Sequence, residues 1–268
     1  MFRLLAIDLD GTLLNSQHQI SPRTYQAVLA AIQAGITVVI ATGQILPYLR
    51  HVTRGLPLDA PQIIYNGAII ANSMTGTVLH ERLLPEKDIL PALDALRDLD
   101  LYRAYHTYQH VYVDNGTPNA MNWYPTPIPQ PLERDDVASL YPQHCIKVVG
   151  IGDPATLRQK REVLEQRFAG NLYVTQTAPF LLEMLHPAVS KDSALRQIAR
   201  DLGIVPAEIM AFGDNHNDIG MLQFAGMGIA MGNAHAEVKQ AASYVTLSNN
   251  QDGIAAVIEE KILLRRTT

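Results

Sequence analysis

The first third of the chain alternates short apolar runs with amphipathic stretches, the pattern of β-strands followed by helices. Leu4–Asp8 is predicted to be a strand. Ser21 and Pro22 are a favourable N-cap and first residue for a helix that Gly35 would end. The β-branched run 36–41 is typical of a strand buried on both faces of a parallel sheet. Further predicted elements are a helix at 45–54 and short strands at 63–65, 68–71 and 78–82.

The middle of the chain has a different pattern. It predicts two helices, 87–99 and 154–168, and strands at 101–106, 110–114, 146–151, 172–176 and 180–185. This order favours an antiparallel sheet covered on one face by helices. The stretch 115–135 contains five prolines and the only tryptophan, so it is predicted to be neither a central strand nor a long helix. A surface loop and a functional lid remain the two alternatives for it.

From Ser190 the strand-helix alternation returns. The predicted elements are helices at 191–202, 218–225, 234–242 and 252–263 and strands at 209–212, 228–231 and 244–245. The predicted fold class is therefore α/β, with a Rossmann-like, doubly wound parallel sheet as its core and an inserted α+β module. Residues 1–82 and 186–268 would form the core domain, and residues 83–185 the inserted domain.

The strongest chemical signal follows the first strand. Asp8 and Asp10 are two residues apart, so their carboxylates can converge beyond the strand end, and Gly11 permits a sharp turn there. Adjacent carboxylates repel each other unless a cation or a shared proton lies between them. A divalent metal would meet that need, and two carboxylates in unequal environments can act as nucleophile and general acid/base. The alternative is an ordinary surface turn.

Three other segments carry matching polar groups. Thr42 and Gly43 end the second strand with a hydroxyl and backbone N–H groups that can hold an anion. Asp214 and Asp218 lie at a loop-to-helix junction, where Asp218 could also be a simple N-cap. Lys191 begins a helix and is either a solvated surface charge or a fixed cation for a phosphate. Ligands of open α/β sheets bind beyond the carboxyl ends of the strands, so one shared site is predicted.

These segments together resemble the haloacid dehalogenase-like (HAD) hydrolase superfamily. Asp-Leu-Asp-Gly-Thr-Leu-Leu at 8–14, Ala-Thr-Gly at 41–43, Lys191, and Gly-Asp-x-x-Asn-Asp-x-x-Met-Leu at 213–222 occur in the family's order. The insertion lies between the second and third motifs, which resembles the Cof-type phosphatase branch with a type IIB cap. The resemblance covers nearly the whole chain and is weakest over 102–144.

The resemblance implies hydrolysis of a phosphate ester through an aspartyl-phosphate, with Mg²⁺ as cofactor. Asp8 would be the nucleophile and Asp10 the general acid and then base. The implied metal ligands are Asp8, the backbone carbonyl of Asp10, and Asp214, with Asp218 as a near or outer acid. The implied phosphate contacts are the Leu9 amide, Thr42, Gly43, Lys191 and Asn217. The inserted domain would close over the site and select the leaving group.

Three residues depart from the family pattern. Gln44 stands where arginine commonly follows Ala-Thr-Gly, so a salt bridge from that position is lost. Asp192 replaces the usual glycine after the motif lysine and is expected to face solvent as an acid in the first turn of a helix. His216, between Asp214 and Asp218, is expected to be an exposed loop histidine.

The substrate expected from these features is a small phosphorylated metabolite, such as a sugar phosphate or a cofactor-like phosphate. A phosphotransferase or phosphomutase on the same scaffold, and a non-catalytic sensor of phosphorylated ligands, remain alternatives. The net charge of −5 argues against nucleic acid or an anionic membrane as a partner. The strand pattern begins directly after Arg3, so no signal peptide is expected, and Cys145 is the only cysteine, so a cytoplasmic protein is expected. A monomer or weak homo-oligomer is the expected state.

Overall fold

The structure, a computed structural model, describes residues 1–108, 110–117 and 132–264. This part of the chain divides into two compact units: Met1–Glu81 with Ser190–Thr268, and Arg82–Val189. The second unit is thus inserted into the first along the sequence. Within the described ranges, no helix has the length and apolar character needed to cross a membrane.

The first unit is built on one mixed sheet. Its described strands are β1 (Leu4–Asp8), β2 (Thr37–Ala41), β3 (Pro61–Ile64), β4 (Ile69–Asn72), β5 (Val78–Glu81), β12 (Ile209–Gly213), β13 (Met227–Ala230) and β14 (Tyr244–Val245). Their order across the sheet is β14-β13-β12-β1-β2-β3-β4-β5. The strands from β14 to β3 pair in parallel, and β4 and β5 extend the sheet in the antiparallel sense. The predicted α/β fold class is confirmed.

Helices follow the strands of this sheet, as the alternation predicts. They are α1 (Pro22–Gln33), α2 (Leu46–Val52), α5 (Lys191–Asp201), α6 (Ile219–Phe224), α7 (Ala236–Ala241) and α8 (Gly253–Ile258), the last continued by a π-helical segment, Glu259–Leu263. The predicted start of α1 is confirmed, because the Ser21 side chain accepts a hydrogen bond from the Thr24 N–H and Pro22 is the first helical residue. Pro47 falls in the first turn of α2. Proline is tolerated there because the N–H groups of a first turn have no acceptor within the helix.

In its described residues, the second unit is a sheet with two α-helices. Its described strands are β6 (Tyr102–His106), β7 (Val111–Asp114), β8 (Leu132–Asp135), β9 (Lys147–Ile151), β10 (Tyr173–Ala178) and β11 (Leu181–Leu185), in the order β10-β11-β9-β6-β7-β8. The helices are α3 (Glu86–Asp98) and α4 (Pro154–Arg167). Leu93 of α3 and Leu157 of α4 pack in one apolar core with Tyr105 and Val148, which lie on the same face of the sheet. The predicted covering of one face by helices is therefore confirmed.

Two details of the second unit were predicted wrongly. The proposed loop 115–135 is too long, because Leu132–Asp135 forms the edge strand β8. The sheet is also not entirely antiparallel, since β8 pairs with β7 in parallel. A parallel partner needs a long connection rather than a hairpin, and the segment between the two strands is long enough. The prolines and Trp123 that suggested a loop or lid lie in 118–131, outside the described residues.

Candidate active site

The site begins where β1 ends in the centre of the first sheet. All five residues of β1 are buried, and the strand lies between β2 and β12. Asp8 pairs in register with Ala41, and Ile7 pairs with Phe212. The loops that follow Ala41 and Phe212 therefore leave the sheet beside Asp8. This register brings three of the sequence motifs to one edge of the sheet.

Lys191 contacts two of the predicted acidic residues. Its Nζ lies 2.5 Å from Asp8 Oδ1 and 2.6 Å from Asp218 Oδ1. The lysine side chain is only 2% exposed, which rules out the surface-charge alternative. Its position is set by the start of α5, where the Ser190 side chain accepts a hydrogen bond from the Ser193 N–H. A fixed cation thus lies directly beside the candidate nucleophile.

Three carboxylates form a tight cluster. Single oxygens of Asp8, Asp214 and Asp218 all lie within 4.8 Å of one another. The Thr12 hydroxyl donates to Asp214 Oδ1 at 3.0 Å. Gly11 is required here for two reasons: its φ is +81°, and a Cβ at this position would lie 2.5 Å from Asp214 Oδ2. The turn after β1 thereby lets the Asp214 carboxylate approach the backbone closely.

The electrostatics of the cluster show a shortage of positive charge. Burial raises the pKa of Asp8 to about 7, although Lys191 acts against the shift. Burial and the neighbouring Asp8 charge raise the pKa of Asp218 to about 6. Burial and Asp218 also raise the pKa of Asp214. One ammonium among three carboxylates leaves excess negative charge, and carboxylate oxygens are the ligands that Mg²⁺ prefers. The residues present therefore fit a divalent cation.

Asp218 has two structural roles at once. Its Oδ2 accepts hydrogen bonds from the N–H groups of Asp214 and Asn215, each at 3.0 Å, while its Oδ1 faces Lys191. The simple N-cap alternative is wrong, because the Asp218 side chain makes no capping hydrogen bond to α6, the helix that follows it. Its bond to the Asn215 N–H belongs to a capping box that begins at Asn215. A Cβ on Gly213 would lie 2.5 Å from the Asp218 Cβ, so a glycine is needed for this close packing.

Three of the predicted phosphate-binding residues meet around Asn66. The Asn217 amide nitrogen donates to Asn66 Oδ1 at 3.0 Å, and the Asn66 N–H donates to the Thr42 carbonyl at 2.9 Å. A Cβ on Gly43 would lie 3.1 Å from the Asn66 side-chain amide. Leu9, the remaining predicted contact, is fully buried between the two aspartates of the first motif. Thr42, Gly43 and Asn217 are thus brought together, and Asn66 connects them.

The sequence did not identify Asn66 as a site residue. Asn66 and Gly67 lie between the predicted strands 63–65 and 68–71, and Asn66 has a left-handed φ of 57°, which asparagine tolerates. A Cβ on Gly67 would lie 2.3 Å from the Ser190 carbonyl oxygen, so this turn also packs against the start of α5. The signal in the sequence was the Asn66-Gly67 pair itself, which favours a turn with a positive φ.

The three residues that depart from the family pattern each have defined contacts in the structure. Asp192 pairs with Arg196 one helical turn further on, at 3.3 Å, and its side chain is 28% exposed. His216 is exposed, as expected, and its Nε2 lies 3.7 Å from Glu237 Oε2. Gln44 donates a hydrogen bond from Nε2 to Asp10 Oδ2 at 3.0 Å. Of the three, only Gln44 contacts a predicted catalytic residue.

The chain is similar to known hydrolases over most of its length. A family model described as haloacid dehalogenase-like hydrolase matches residues 5–258. The 5-amino-6-(5-phospho-D-ribitylamino)uracil phosphatase YcsE of Bacillus subtilis (strain 168) is 32% identical over 97% of this chain and 96% of its own length. A solved haloacid dehalogenase-like hydrolase from Bacteroides thetaiotaomicron is 29% identical, with a TM-score of 0.84 over 97% of this chain and 99% of that one. The HAD subclass IIB sugar phosphatase BT4131, at 23% identity, shares the fold with a TM-score of 0.82 over 96% of this chain and 98% of that one.

Proposed function

Because the chain belongs to the haloacid dehalogenase-like hydrolases, we propose that it is a Mg²⁺-dependent phosphatase of a small phosphorylated metabolite. Its enzyme class is phosphoric monoester hydrolase, the class to which its named relatives belong. The observation that carries the proposal is the contact of Lys191 with Asp8 inside a cluster of three carboxylates, of which Asp8 and Asp218 are buried and Asp214 is partly buried. A carboxylate and a fixed ammonium in this relation suit attack on a phosphate dianion, whose charge the ammonium would offset.

In the proposed first step, an Asp8 oxygen forms a bond to phosphorus while the bond to the leaving oxygen breaks. Asp8 must be ionised to attack, and Lys191 favours its ionised form. Asp10 gives a proton to the departing oxygen, which would otherwise leave as a strongly basic alkoxide. The partial exposure of the Asp10 side chain, 39%, is compatible with contact to a substrate. An aspartyl-phosphate on Asp8 results.

In the proposed second step, Asp10, now ionised, takes a proton from water. The water oxygen bonds to phosphorus as the bond to Asp8 breaks, which releases inorganic phosphate and restores Asp8. Lys191 then again balances the freed carboxylate. One residue thus acts as acid and then as base, which requires that its carboxyl group reach both the leaving oxygen and the attacking water.

Asp8, the Asp10 backbone carbonyl and Asp214 would hold Mg²⁺, with Asp218 beside them, and Mg²⁺ would supply further neutralisation of phosphoryl charge. The support for this assignment is the clustering of Asp8, Asp214 and Asp218 together with their raised pKa values. Asp218 binds Lys191 and two backbone N–H groups, so its proposed role is to orient the others.

We propose that the phosphoryl oxygens are held by Lys191 and by the groups around Asn66. Thr42, Gly43, Asn217 and the Leu9 amide are the residues concerned. An amide nitrogen that donates one hydrogen to Asn66 has a second hydrogen to offer, so Asn217 can serve both partners. Backbone N–H groups after a strand end are a common means of holding an anion.

Residues 83–185 are proposed as the cap domain that selects the substrate. In support, Arg82–Val189 is a compact unit with its own apolar core. The proposed substrates are sugar phosphates or cofactor-like phosphates, and the substrate in the name of the Bacillus subtilis relative is a phosphorylated ribitylamino-uracil. The cytoplasmic location remains a prediction, supported by the buried free thiol of Cys145.

The proposal is tested by measuring phosphate release from a panel of phosphorylated metabolites, with Mg²⁺ and with a chelator. The panel includes sugar phosphates, pyridoxal phosphate, 5-amino-6-(5-phospho-D-ribitylamino)uracil and 4-nitrophenyl phosphate. We expect release that needs Mg²⁺ and disappears in Asp8→Asn. Transfer of the phosphoryl group to an added alcohol instead of water would favour the phosphotransferase alternative. No release from any compound with any divalent metal would overturn the proposal.

A further inference from the structure

Asp10 is the one proposed catalytic group that Lys191 does not contact. Its side chain receives other contacts instead. The Gln44 amide nitrogen donates to Asp10 Oδ2 at 3.0 Å. His18 Nδ1 lies 4.0 Å from the other oxygen, Asp10 Oδ1, and the His18 side chain is largely exposed. A neutral amide from the loop after β2 is therefore the donor that holds Asp10 Oδ2.

The backbone of Gln44 is fixed on both sides. Its N–H donates to the Thr42 hydroxyl oxygen at 3.0 Å, and its carbonyl accepts from the Tyr65 N–H at 3.1 Å. These bonds use only main-chain atoms of Gln44, so they remain when its side chain is replaced. The amide is thus presented from a rigid turn, and a substitution at 44 would change the contact with Asp10 while leaving the turn in place.

The contact has a consequence for the location of a proton. When a carboxyl group is protonated, its carbonyl oxygen is the better hydrogen-bond acceptor, so an N–H donor on one oxygen favours placement of the proton on the other. With Oδ2 engaged by Gln44, the proton of Asp10 is directed to Oδ1. A general acid works only when its proton points at the atom that receives it.

We propose that Gln44 is a positioning residue that orients Asp10 toward the leaving group, an inference that rests on the proposed phosphatase function. As Asp8 bonds to phosphorus and the leaving P–O bond breaks, its electron pair passes to the leaving oxygen. That oxygen takes the proton from Asp10 Oδ1, and Oδ2 stays hydrogen-bonded to Gln44. The neutral amide at position 44 thus has a role of its own at a place where the family commonly has arginine.

The test compares leaving groups of different basicity. An alkoxide needs a proton as it departs, whereas 4-nitrophenolate is weakly basic and can leave without one. The ratio kcat/KM reports steps up to loss of the leaving group, so later hydrolysis of the aspartyl-phosphate does not enter it. A residue that orients the acid therefore affects alkyl phosphates far more than 4-nitrophenyl phosphate. A residue that only supports the fold affects both alike.

The test variant is Gln44→Met, which keeps the length of the side chain and removes the donor. Asp10→Asn is the reference, and Gln33→Ala, an exposed glutamine in α1, is the control. For Gln44→Met we expect kcat/KM to fall at least about tenfold with an alkyl phosphate and less than about threefold with 4-nitrophenyl phosphate. Gln33→Ala should match the wild type.

The outcomes separate this inference from the function on which it rests. If Asp10→Asn shows the selective loss and Gln44→Met does not, the positioning role is overturned and the phosphatase function stands. An equal loss on both substrates in Gln44→Met, together with a lower melting temperature, also overturns the role. If the wild type releases no phosphate, or Asp10→Asn affects both substrates equally, the assigned role of Asp10 fails and the inference fails with it.

Discussion

Lys191 and Asp218 form a buried ion pair in which Nζ lies 2.6 Å from Oδ1, and both side chains are almost completely removed from solvent. The same ammonium contacts Asp8, so one lysine is shared by two carboxylates. Removing one partner of such a group leaves charge buried without compensation, which costs more than the pair itself contributes. The site is therefore coupled to the stability of the first unit.

Lys191→Met should lower both stability and activity. Because Asp8 and Asp218 would keep their burial and lose their ammonium, we expect the free energy of unfolding to fall by about 3–5 kcal/mol. Urea unfolding measures this change. Lys87→Met, on the exposed side of α3, is the control and should be close to neutral. A Lys191→Met protein as stable as the control would contradict the shared ion pair.

Gly11→Ala should distinguish crowding at Asp214 from simple backbone strain. Gly11 and Gly35 both have a φ of +81°, but an added Cβ would meet Asp214 only at Gly11, and at Gly35 nothing lies within 4 Å. We expect both alanine variants to lose about 1 kcal/mol or more of stability. Only Gly11→Ala should also require more Mg²⁺ for half-maximal activity. Equal Mg²⁺ requirements in the two variants would argue against the proposed role of Asp214.

Asn66→Gly should weaken substrate binding without a large loss of stability. Glycine accepts the φ of 57° at this position, so the variant removes the amide that holds Asn217 and keeps the turn. We expect kcat/KM for phosphate esters to fall about tenfold, which is the effect expected on the rate when one hydrogen bond is lost. Asn66→Ala, which also strains the turn, should lose the same activity and more stability. Unchanged kinetics in Asn66→Gly would remove Asn66 from the site.

The buried His106 of the second unit should make stability depend on pH. Burial and the nearby Lys147 hold the pKa of His106 well below its usual value of 6.5, so the folded state keeps this ring neutral. The unfolded chain takes up the proton as pH falls below about 6.5, and this destabilises the fold by up to about 1.4 kcal/mol per pH unit.

The measurement is the free energy of unfolding of wild type and His106→Gln at several pH values between about 7.5 and 5.5. The variant should lose less stability than the wild type on acidification, because glutamine does not titrate. Parallel pH profiles for the two proteins would show that His106 is protonated in the folded state as readily as in the unfolded chain.

Much of the site could be predicted from the sequence because its residues follow strand ends. Asp8 is the last residue of its strand, Thr42 and Asp214 come directly after theirs, and parallel strands end at one edge of the sheet. The pattern of a strand followed by polar residues is local, so it can be recognised in the sequence. Whether Lys191 was buried could not be recognised in this way, because its burial depends on residues far away in the chain.

Other features could not be predicted from local pattern. The contacts of Gln44 with Asp10 and of Asn66 with Asn217 join side chains from separate loops, and their geometry follows from packing. Strand β8 was missed because it is a short edge strand next to a proline-rich segment, and its parallel pairing depends on β7. The β-propensity of the residues in such a strand is a weak signal, and pairing with the neighbouring strand determines whether the strand forms.

The central claim is that Asp8 becomes phosphorylated. Asp10 acts as the general acid when this intermediate forms and as the general base when it is hydrolysed. Asp10→Asn should still be phosphorylated by 4-nitrophenyl phosphate, whose leaving group needs no acid, but should hydrolyse the aspartyl-phosphate slowly for lack of a base. Mass spectrometry of the acid-quenched, proteolysed variant is the direct measurement. We expect the mass of one phosphoryl group on the peptide that contains Asp8, and none in the Asp8→Asn/Asp10→Asn double variant. Phosphate release without any adduct, or an adduct on another residue, would contradict the claim.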